Sequence, residues 1–556
     1  MSITPTYPGI YVQEIPSGVH PITGVAISNA AFVDFFPQGP IDTAVKVTSW
    51  AAFERIFGGL DERSEASYGI MQFFMTGGSV AFVVRAISGA QPAAAKLAAQ
   101  QYGYGYPAGF SGAGWSGAGG SLEVTASSPG AWGDQIRVGV DYNVKGSDPD
   151  LFNLVVQQVQ VANNKTQVLQ SEVYRNLTMD STNPAAYAPK VVNQASVLVT
   201  IKDNMLGGVP DQTGSDVIKN PPDSSFVPLT GGTDGTSPQD GWTGSATSPN
   251  PLLGDPGHQT GIYALDAIAP DVFNIMCIPA TAHLTDGELA TIISKVQEYC
   301  AMNRAMYILD LPAYFDNATS YYGQMTDIAT FSNGTVASNR DSGTVLYFPR
   351  LFLADPLSQG TPRGVGASGT LAGIWAATDA AAGVWRAPAG VQAALPGNVT
   401  LACNLTDADN GTYNALGINV LRTFPVYGNV SWGARTLMGA DVEASEWKYL
   451  PVRRTAYYIE ESLVQGLKWV VFQPNDEVLW KQIRLNVTAF LQDMYLNQAF
   501  PGQTPAQSYF VKCDADTNPQ SRINLGIVTI LIGFAPLLPA EFVILQIEQM
   551  AGQTQL

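Results

Sequence analysis

Two short segments, one near each end of the chain, have the composition of β-strands but no adjacent strand with which to pair. Residues 8–15 read Pro8-Gly9-Ile10-Tyr11-Val12-Gln13-Glu14-Ile15 and are closed by Pro16. At the other end, Glu541-Phe542-Val543-Ile544-Leu545-Gln546-Ile547-Glu548 follows Pro536 and Pro539. A lone strand leaves its backbone polar groups unpaired and is not stable in water, so each segment has to add to an existing sheet. With two such arms on one chain, the receiving sheets are expected on neighbouring copies. The donor residues are then Ile10, Tyr11, Val12 and Ile15 at one end, and Phe542, Val543, Ile544 and Ile547 at the other. This is the pattern of a self-assembling building block.

A chain of 556 residues has room for roughly three or four domains and can bury several cores without disulfides or metals. Hydrophobic residues make up 46% and charged residues 13%. So low a charge density fits a surface covered by partners, although a large Gly-rich β protein would share it. The net charge of −18 argues against nucleic acid as a partner, because phosphate binding needs a basic face. The four cysteines, Cys277, Cys300, Cys403 and Cys513, form no C-x-x-C pair, so neither a disulfide framework nor a zinc site is expected. Cys277, inside the apolar run 272–278, reads as a small buried hydrophobe. No basic, then apolar, leader opens the sequence, which points to folding in a reducing cytoplasm. Residues 526–547 are almost wholly apolar, but Gly533, Pro536 and Pro539 interrupt them. That composition predicts two buried strands joined by a Pro-rich turn and no membrane insertion.

The pattern along the chain predicts an α/β multidomain protein. A strand within 24–36, helices over 49–57 and 62–75 that end at Gly58-Gly59 and Gly77-Gly78, and a strand over 79–85 set up an α/β layer. Short alternating runs at 121–125, 136–142, 151–159, 167–174 and 196–201, without a convincing helix, predict an inserted all-β sandwich. The α/β pattern resumes with strands over 272–278, 305–311 and 343–349 and helices over 285–303 and 369–382. The last unit is α+β. Its helix over 475–498 should be capped by Asn475, with Leu479, Ile483, Val487, Phe490, Leu491 and Met494 on one apolar face. The expected divisions are an N-terminal arm (1–22), the α/β unit in two parts (23–95 and 236–435), the insert (96–235), the C-terminal unit (436–536) and a C-terminal arm (537–556).

Several segments resemble the contractile tail sheath proteins of bacteriophages and related phage-tail-like particles. They are Tyr7-Pro8-Gly9-Ile10-Tyr11-Val12-Gln13-Glu14, Ile56-Phe57-Gly58-Gly59, and Gly77-Gly78-Ser79-Val80-Ala81-Phe82-Val83-Val84-Arg85. The Gly-Gly-x-Asp-Gly turn of residues 229–235 joins them. The most specific are Gly417-Ile418-Asn419-Val420-Leu421-Arg422, Trp432-Gly433-Ala434-Arg435-Thr436-Leu437, Trp447-Lys448-Tyr449-Leu450-Pro451-Val452-Arg453-Arg454 and Phe472-Gln473-Pro474-Asn475-Asp476-Glu477. Their number and order carry the match, which is weakest over 90–220 and 314–342. The resemblance implies a virion subunit assembled in the bacterial host cytoplasm as stacked hexameric rings around a tail tube. Tube, baseplate and tail terminator proteins are the implied partners besides self. It also implies a subtilisin-like α/β domain without protease activity, and arms of adjacent subunits completing a shared sheet on a third.

For that sheet the sequence offers a receiving hairpin over 508–513 and 526–534, with Tyr509, Phe510, Val511, Ile527, Val528, Ile530 and Ile532 as its contact residues. Hinges are expected near Ser17-Gly18 and Pro536–Pro539. Lys481, Arg484 and Asp493 on the 475–498 helix are candidates for tube attachment, since exposed charge pairs make a contact that can be released.

Catalytic chemistry is weakly marked. Gly366-Ala367-Ser368-Gly369 beside a small-residue helix resembles a subtilisin-type serine turn, and a serine hydrolase is the alternative function. A triad also needs a histidine in reach of the serine, and only His20, His258 and His283 exist. No P-loop is present. Asp407-Ala408-Asp409-Asn410-Gly411 and Asp514-Ala515-Asp516-Thr517-Asn518 open like calcium loops but lack the closing glutamate, so both are read as Asx turns. No cofactor, metal or catalytic residue is expected. A non-contractile capsid or adhesin subunit is the remaining structural alternative.

Overall fold

The structure, a computed structural model, describes residues 20–98, 121–162, 165–204, 209–219, 221–237, 250–317, 328–544 and 546. Its centre is an eight-stranded sheet. Across it the strands run Gly428–Ser431, Asn419–Phe424, Thr344–Phe348, Met306–Leu309, Ile275–Cys277, Ala30–Asp34, Ala81–Arg85 and Val45–Val47. The six inner strands are parallel and the two edge strands antiparallel. A parallel sheet needs cover on both faces, which is why its strands read as continuous apolar runs. Every residue of Ala30–Asp34 and Thr344–Phe348 is buried.

One face packs Ala31, Val33, Met276 and Tyr307 against Leu289, Ile293 and Val296 of the helix Asp286–Met302. The other packs Phe32, Ile275 and Ile308 against the helices Trp50–Phe57, Glu65–Thr76 and Ser368–Ala382. The last two touch through glycines. A Cβ on Gly369 would stand 2.3 Å from the Gly69 carbonyl oxygen, which accounts for the small residues in the sequence there. Ser49 and Ser64 cap the first two helices, and Gly58 ends the first in a left-handed conformation.

The insert folds as two antiparallel sheets around one core. Val227–Pro228, Ile136–Asp141, Leu151–Ala162 and Lys165–Thr178 make one, and Ala94–Ala98, Ser121–Ala126 and Val199–Asp203 the other. Leu97, Leu122, Val138, Leu154 and Val199 share that core. A helix absent from the sequence reading, Ala188–Ala195, closes it with Ala188 and Val192. Two turns carry too few apolar repeats to stand out as periodicity. The two chain crossings are zipped together, Gln91 and Thr233 exchanging backbone hydrogen bonds of 3.0 and 2.9 Å.

In the C-terminal unit, helices Leu450–Gly466 and Glu477–Leu496 enclose a core of Ile459, Leu463, Leu479, Ile483, Val487, Leu491 and Met494. The cap of the second helix is Asp476, not Asn475: its carboxylate accepts the Leu479 N–H at 2.9 Å. Asn475 instead ties two loops, accepting from Trp480 Nε1 and donating to the Ile527 carbonyl. The apolar stretch 526–547 also differs from expectation. Among its described residues it holds one short strand, Leu531–Phe534, and residues 536–544 form none. Among the described residues no helix is long and apolar enough to cross a membrane.

Candidate assembly surface

Tyr509–Lys512 and Leu531–Phe534 pair antiparallel, with Tyr509 opposite Phe534 and Lys512 opposite Leu531. Of the expected receiving residues, Tyr509, Phe510, Val511 and Ile532 therefore lie in the strands, while Ile527, Val528 and Ile530 lie in the extended approach. Side-chain bonds replace the ladder there. Thr529 N–H donates to Asn518 Oδ1 at 2.6 Å, and Asn518 Nδ2 returns a bond to the Thr529 carbonyl.

Alternation splits the hairpin into two faces. Tyr509, Val511, Ile532 and Phe534 pack on the helical core, and the Tyr509 hydroxyl donates to Gln492 at 2.8 Å. Phe510 and Leu531 are 54% and 50% exposed on the other face. Ala535 N–H donates to the Ser508 carbonyl at 2.8 Å, which sets the ladder's phase. In that phase Val511, Ile532 and Phe534 turn their backbone groups away from the partner strand. Among the described residues neither strand has a second hydrogen-bonded neighbour. Within the described residues the hairpin is a sheet with two open edges.

The C-terminal arm leaves this hairpin and runs past Ile374, Ala377, Ala381 and Trp385, with Leu537–Ala540 lining a cavity of about 490 Å³ beside them. It is then held at Glu541. Arg435 grips that carboxylate with both ends of its fork, Nε to Oε1 and Nη2 to Oε2, each at 2.6 Å. Asn414 Nδ2 adds a bond to Oε1 at 3.0 Å and the Tyr449 hydroxyl one to Oε2 at 3.2 Å. Burial alone would raise the Glu541 pKa, but these donors outweigh it and hold the carboxyl below its ordinary value. The next three residues are bare: Phe542, Val543 and Ile544 are 75%, 79% and 84% exposed. Ile547 and the whole N-terminal set, Ile10, Tyr11, Val12 and Ile15, lie outside the described residues. Arg435 and Glu541 lie 106 residues apart, and the one local signal of their pairing is a carboxylate at the head of the apolar run Phe542–Leu545.

The charged candidates on Glu477–Leu496 are unequal. Lys481 and Asp493 are exposed, and Lys481 has only Glu477 nearby, at 3.8 Å. Arg484 turns inward to its own subunit, donating to the Cys513 carbonyl and reaching Glu477 at 3.3 Å. It is a strut between helix and hairpin.

The serine turn is sealed. Ser368 is fully buried at the start of its helix, and both its N–H and its hydroxyl donate to Asp310, at 2.9 and 2.5 Å. Burial pushes the Asp310 carboxyl up to about 6. Among the described contacts no histidine bonds to Ser368: His283 lies 3.8 Å from Glu65, His20 stacks on Trp469, and His258 pairs with Asp255. A buried hydroxyl without an imidazole partner is not arranged as a triad. Arg350, with Glu65 and Asp316, plugs the adjoining end of the sheet as a buried ion network. Of the calcium-like segments, Asp514 forms an Asx turn, accepting from Asp516 and Thr517 N–H. The other is instead the first turn of the helix Asp407–Ala415, boxed by Thr406 and Asp409.

Comparison with known proteins bears on the same regions. Residues 442–550 match the family model of the phage tail sheath C-terminal domain. A prophage major tail sheath protein of Pseudomonas aeruginosa is 26% identical over 295 residues, 51% of this chain and 68% of that protein. Among solved structures, the contracted sheath complex of an extracellular contractile injection system, PVC, superposes with a TM-score of 0.53 at 17% identity, covering 99% of both chains. The sheath tail protein of Listeria innocua gives 0.57 at 14% identity, over 93% of this chain and 96% of that one.

Proposed function

We propose that this chain, a tail sheath protein by its C-terminal family domain, its sheath-named relatives and its fold, polymerises as stacked hexameric rings around a tail tube. It contracts from a metastable extended state to drive the tube through a host envelope. It is a structural subunit and not an enzyme. The observation that carries the reading is the coexistence, among the described residues, of a hairpin with two open edges and an arm whose apolar residues Phe542–Ile544 stand in solvent.

In the assembled sheath, residues 10–15 of one neighbour and 541–548 of another flank the hairpin of a third to make a four-stranded sheet. Each added hydrogen bond contributes about 0.5–1.5 kcal/mol net. Phe542 and Ile544 each add about 1.5–3 kcal/mol if fully buried. A joint of that strength persists while rigid bodies rotate against one another. Contraction without nucleotide requires that the extended lattice be kinetically trapped.

The α/β unit (23–95 and 236–435) is read as a subtilisin-like scaffold whose serine turn serves packing, with residues 96–235 as an outer β-sandwich. The C-terminal unit (436–536) faces the tube, with Lys481 and Asp493 its accessible charges and Arg484 supporting them. Baseplate and tail terminator proteins bound the stack, and the subunit belongs to the virion after assembly in the host cytoplasm.

Negative-stain microscopy of purified chain tests this. The full chain should form tubular polymers, and removal of residues 1–19 should leave folded subunits that form none. Normal tubes from the truncated chain would overturn the strand-exchange reading.

A further inference from the structure

We propose that the Arg435–Glu541 pair is the anchor of the C-terminal arm: it fixes where the arm leaves its own subunit. Residues 536–540 then stay with the parent body, and the strand given to a neighbour starts at Phe542. This rests on the sheath reading above and adds to it the parent-side attachment, since strand donation by itself does not say where the donated segment begins.

The geometry carries it. The Arg435 side chain is 2% exposed and the Glu541 side chain 20%, so the fork closes in a largely desolvated site. Bidentate guanidinium–carboxylate pairing is strong and directional, and breaking it would strand a buried cation. Arg435 has one other ion partner, Asp441 at 3.0 Å, whose own side chain is 56% exposed and shared with Lys448. The arginine backbone cannot yield easily either. Its N–H donates to Asn419 Oδ1 at 2.7 Å and its carbonyl accepts from Asn419 Nδ2 at 2.8 Å, on a fully buried asparagine of the central sheet. Both carboxylate oxygens of Glu541 carry a second donor, from Asn414 and Tyr449. One residue later the chain is 75% exposed. The step from gripped to bare takes place across a single peptide bond.

Two consequences follow for a lattice. Tension on the donated strand is delivered to Arg435, and through Asn419 to the central sheet, and not to the hairpin from which the arm emerges. Reach is also limited. With its root at Glu541, the seven residues 542–548 span at most about 25 Å, against about 47 Å for the thirteen residues 536–548 on a hinge at Pro536. Arg435 and Glu541 are positioning residues; neither contacts the neighbour.

The test uses the full chain with Glu541→Ala and Glu541→Gln. Limited proteolysis of unpolymerised subunits should cut within 536–544 about tenfold faster in both variants, with cleavage inside the central sheet at the wild-type rate. Tubes of the variants should dissociate at lower denaturant than wild-type tubes. Arg435→Lys, which keeps the charge but not the fork, should fall between wild type and Glu541→Ala. Unchanged arm protection in Glu541→Ala overturns the anchor. If instead the wild-type chain forms no tubes, the sheath reading falls, while proteolysis of the single subunit still decides the anchor.

Discussion

The central sheet and the C-terminal hairpin are built from similar apolar strands and reach opposite outcomes. In Ala30–Asp34 every residue is buried, and the strand is hydrogen-bonded on both sides, to Ile275–Cys277 and to Ala81–Arg85. In Leu531–Phe534 no residue is fully buried, and the described structure supplies one neighbour only. Phe542–Ile544 go further and have neither pairing nor cover in the described subunit. The difference teaches where stability is local and where it is deferred. The inner strands of the α/β body find their pairing and burial within one chain, whereas the hairpin and arm leave both to be completed by contact.

Four further measurements press on that contrast. The largest effect is expected from Phe542→Asp combined with Ile544→Asp: tubular polymer should fall at least about tenfold, with less than about 0.5 kcal/mol change in subunit stability. Chemical denaturation of the single subunit alongside microscopy checks both halves, and a destabilised subunit would erase the distinction. Phe32→Ala should do the reverse and cost about 3–5 kcal/mol in denaturant unfolding, because the ring is fully buried between sheet and helices.

Acid sharpens the boundary between body and arm. Glu541 titrates below its ordinary 4.5, so the attachment is complete above that value and is lost as pH falls through the lower folded value. Arm proteolysis measured by an acid-active protease should rise in that window for wild type. It should be fast and flat with pH in Glu541→Gln. Arg435, Asp441, Lys448 and Tyr449 face the same site, and of these Asp441 is also held below its ordinary value by Lys448 and Arg435. An Asp441→Asn control therefore separates its contribution. The smallest effect is expected at Lys481→Glu. Subunit stability should move by less than about 0.5 kcal/mol, since the side chain is 67% exposed, and any large change should be confined to assembly around a tube.

Much of the α/β body was legible because its rules are local. The glycine stops at Gly58 and Gly77 and the apolar face Leu479-Ile483-Val487-Phe490 came from residue type and spacing and are present, whereas the caps at Ser49 and Ser64 emerge only in the structure. Errors arose where two signals competed. Asn475 and Asp476 are both good caps, and the choice fell to Asp476 because Asn475 was needed by Ile527 and Trp480. The second hairpin strand is shorter than its apolar run because Asn518, brought back by a turn, takes the hydrogen bonds of Thr529. Arg484 carries the charge of a surface residue, yet the hairpin folds close enough to occupy it.

The sequence by itself determined that this chain has mixed α/β content, that apolar segments with no pairing partner adjacent in sequence stand near its ends, and that its serine turn lacks a histidine nearby in sequence. These follow from periodicity, capping and composition, which act over a few residues. Only the tertiary structure decided that Ser368 bonds to Asp310, that Arg484 faces inward, and that Arg435 meets Glu541 across 106 positions of chain. Pairings of that kind depend on which surfaces the packed sheet and helices bring together, and no local rule encodes a distance between residues so far apart.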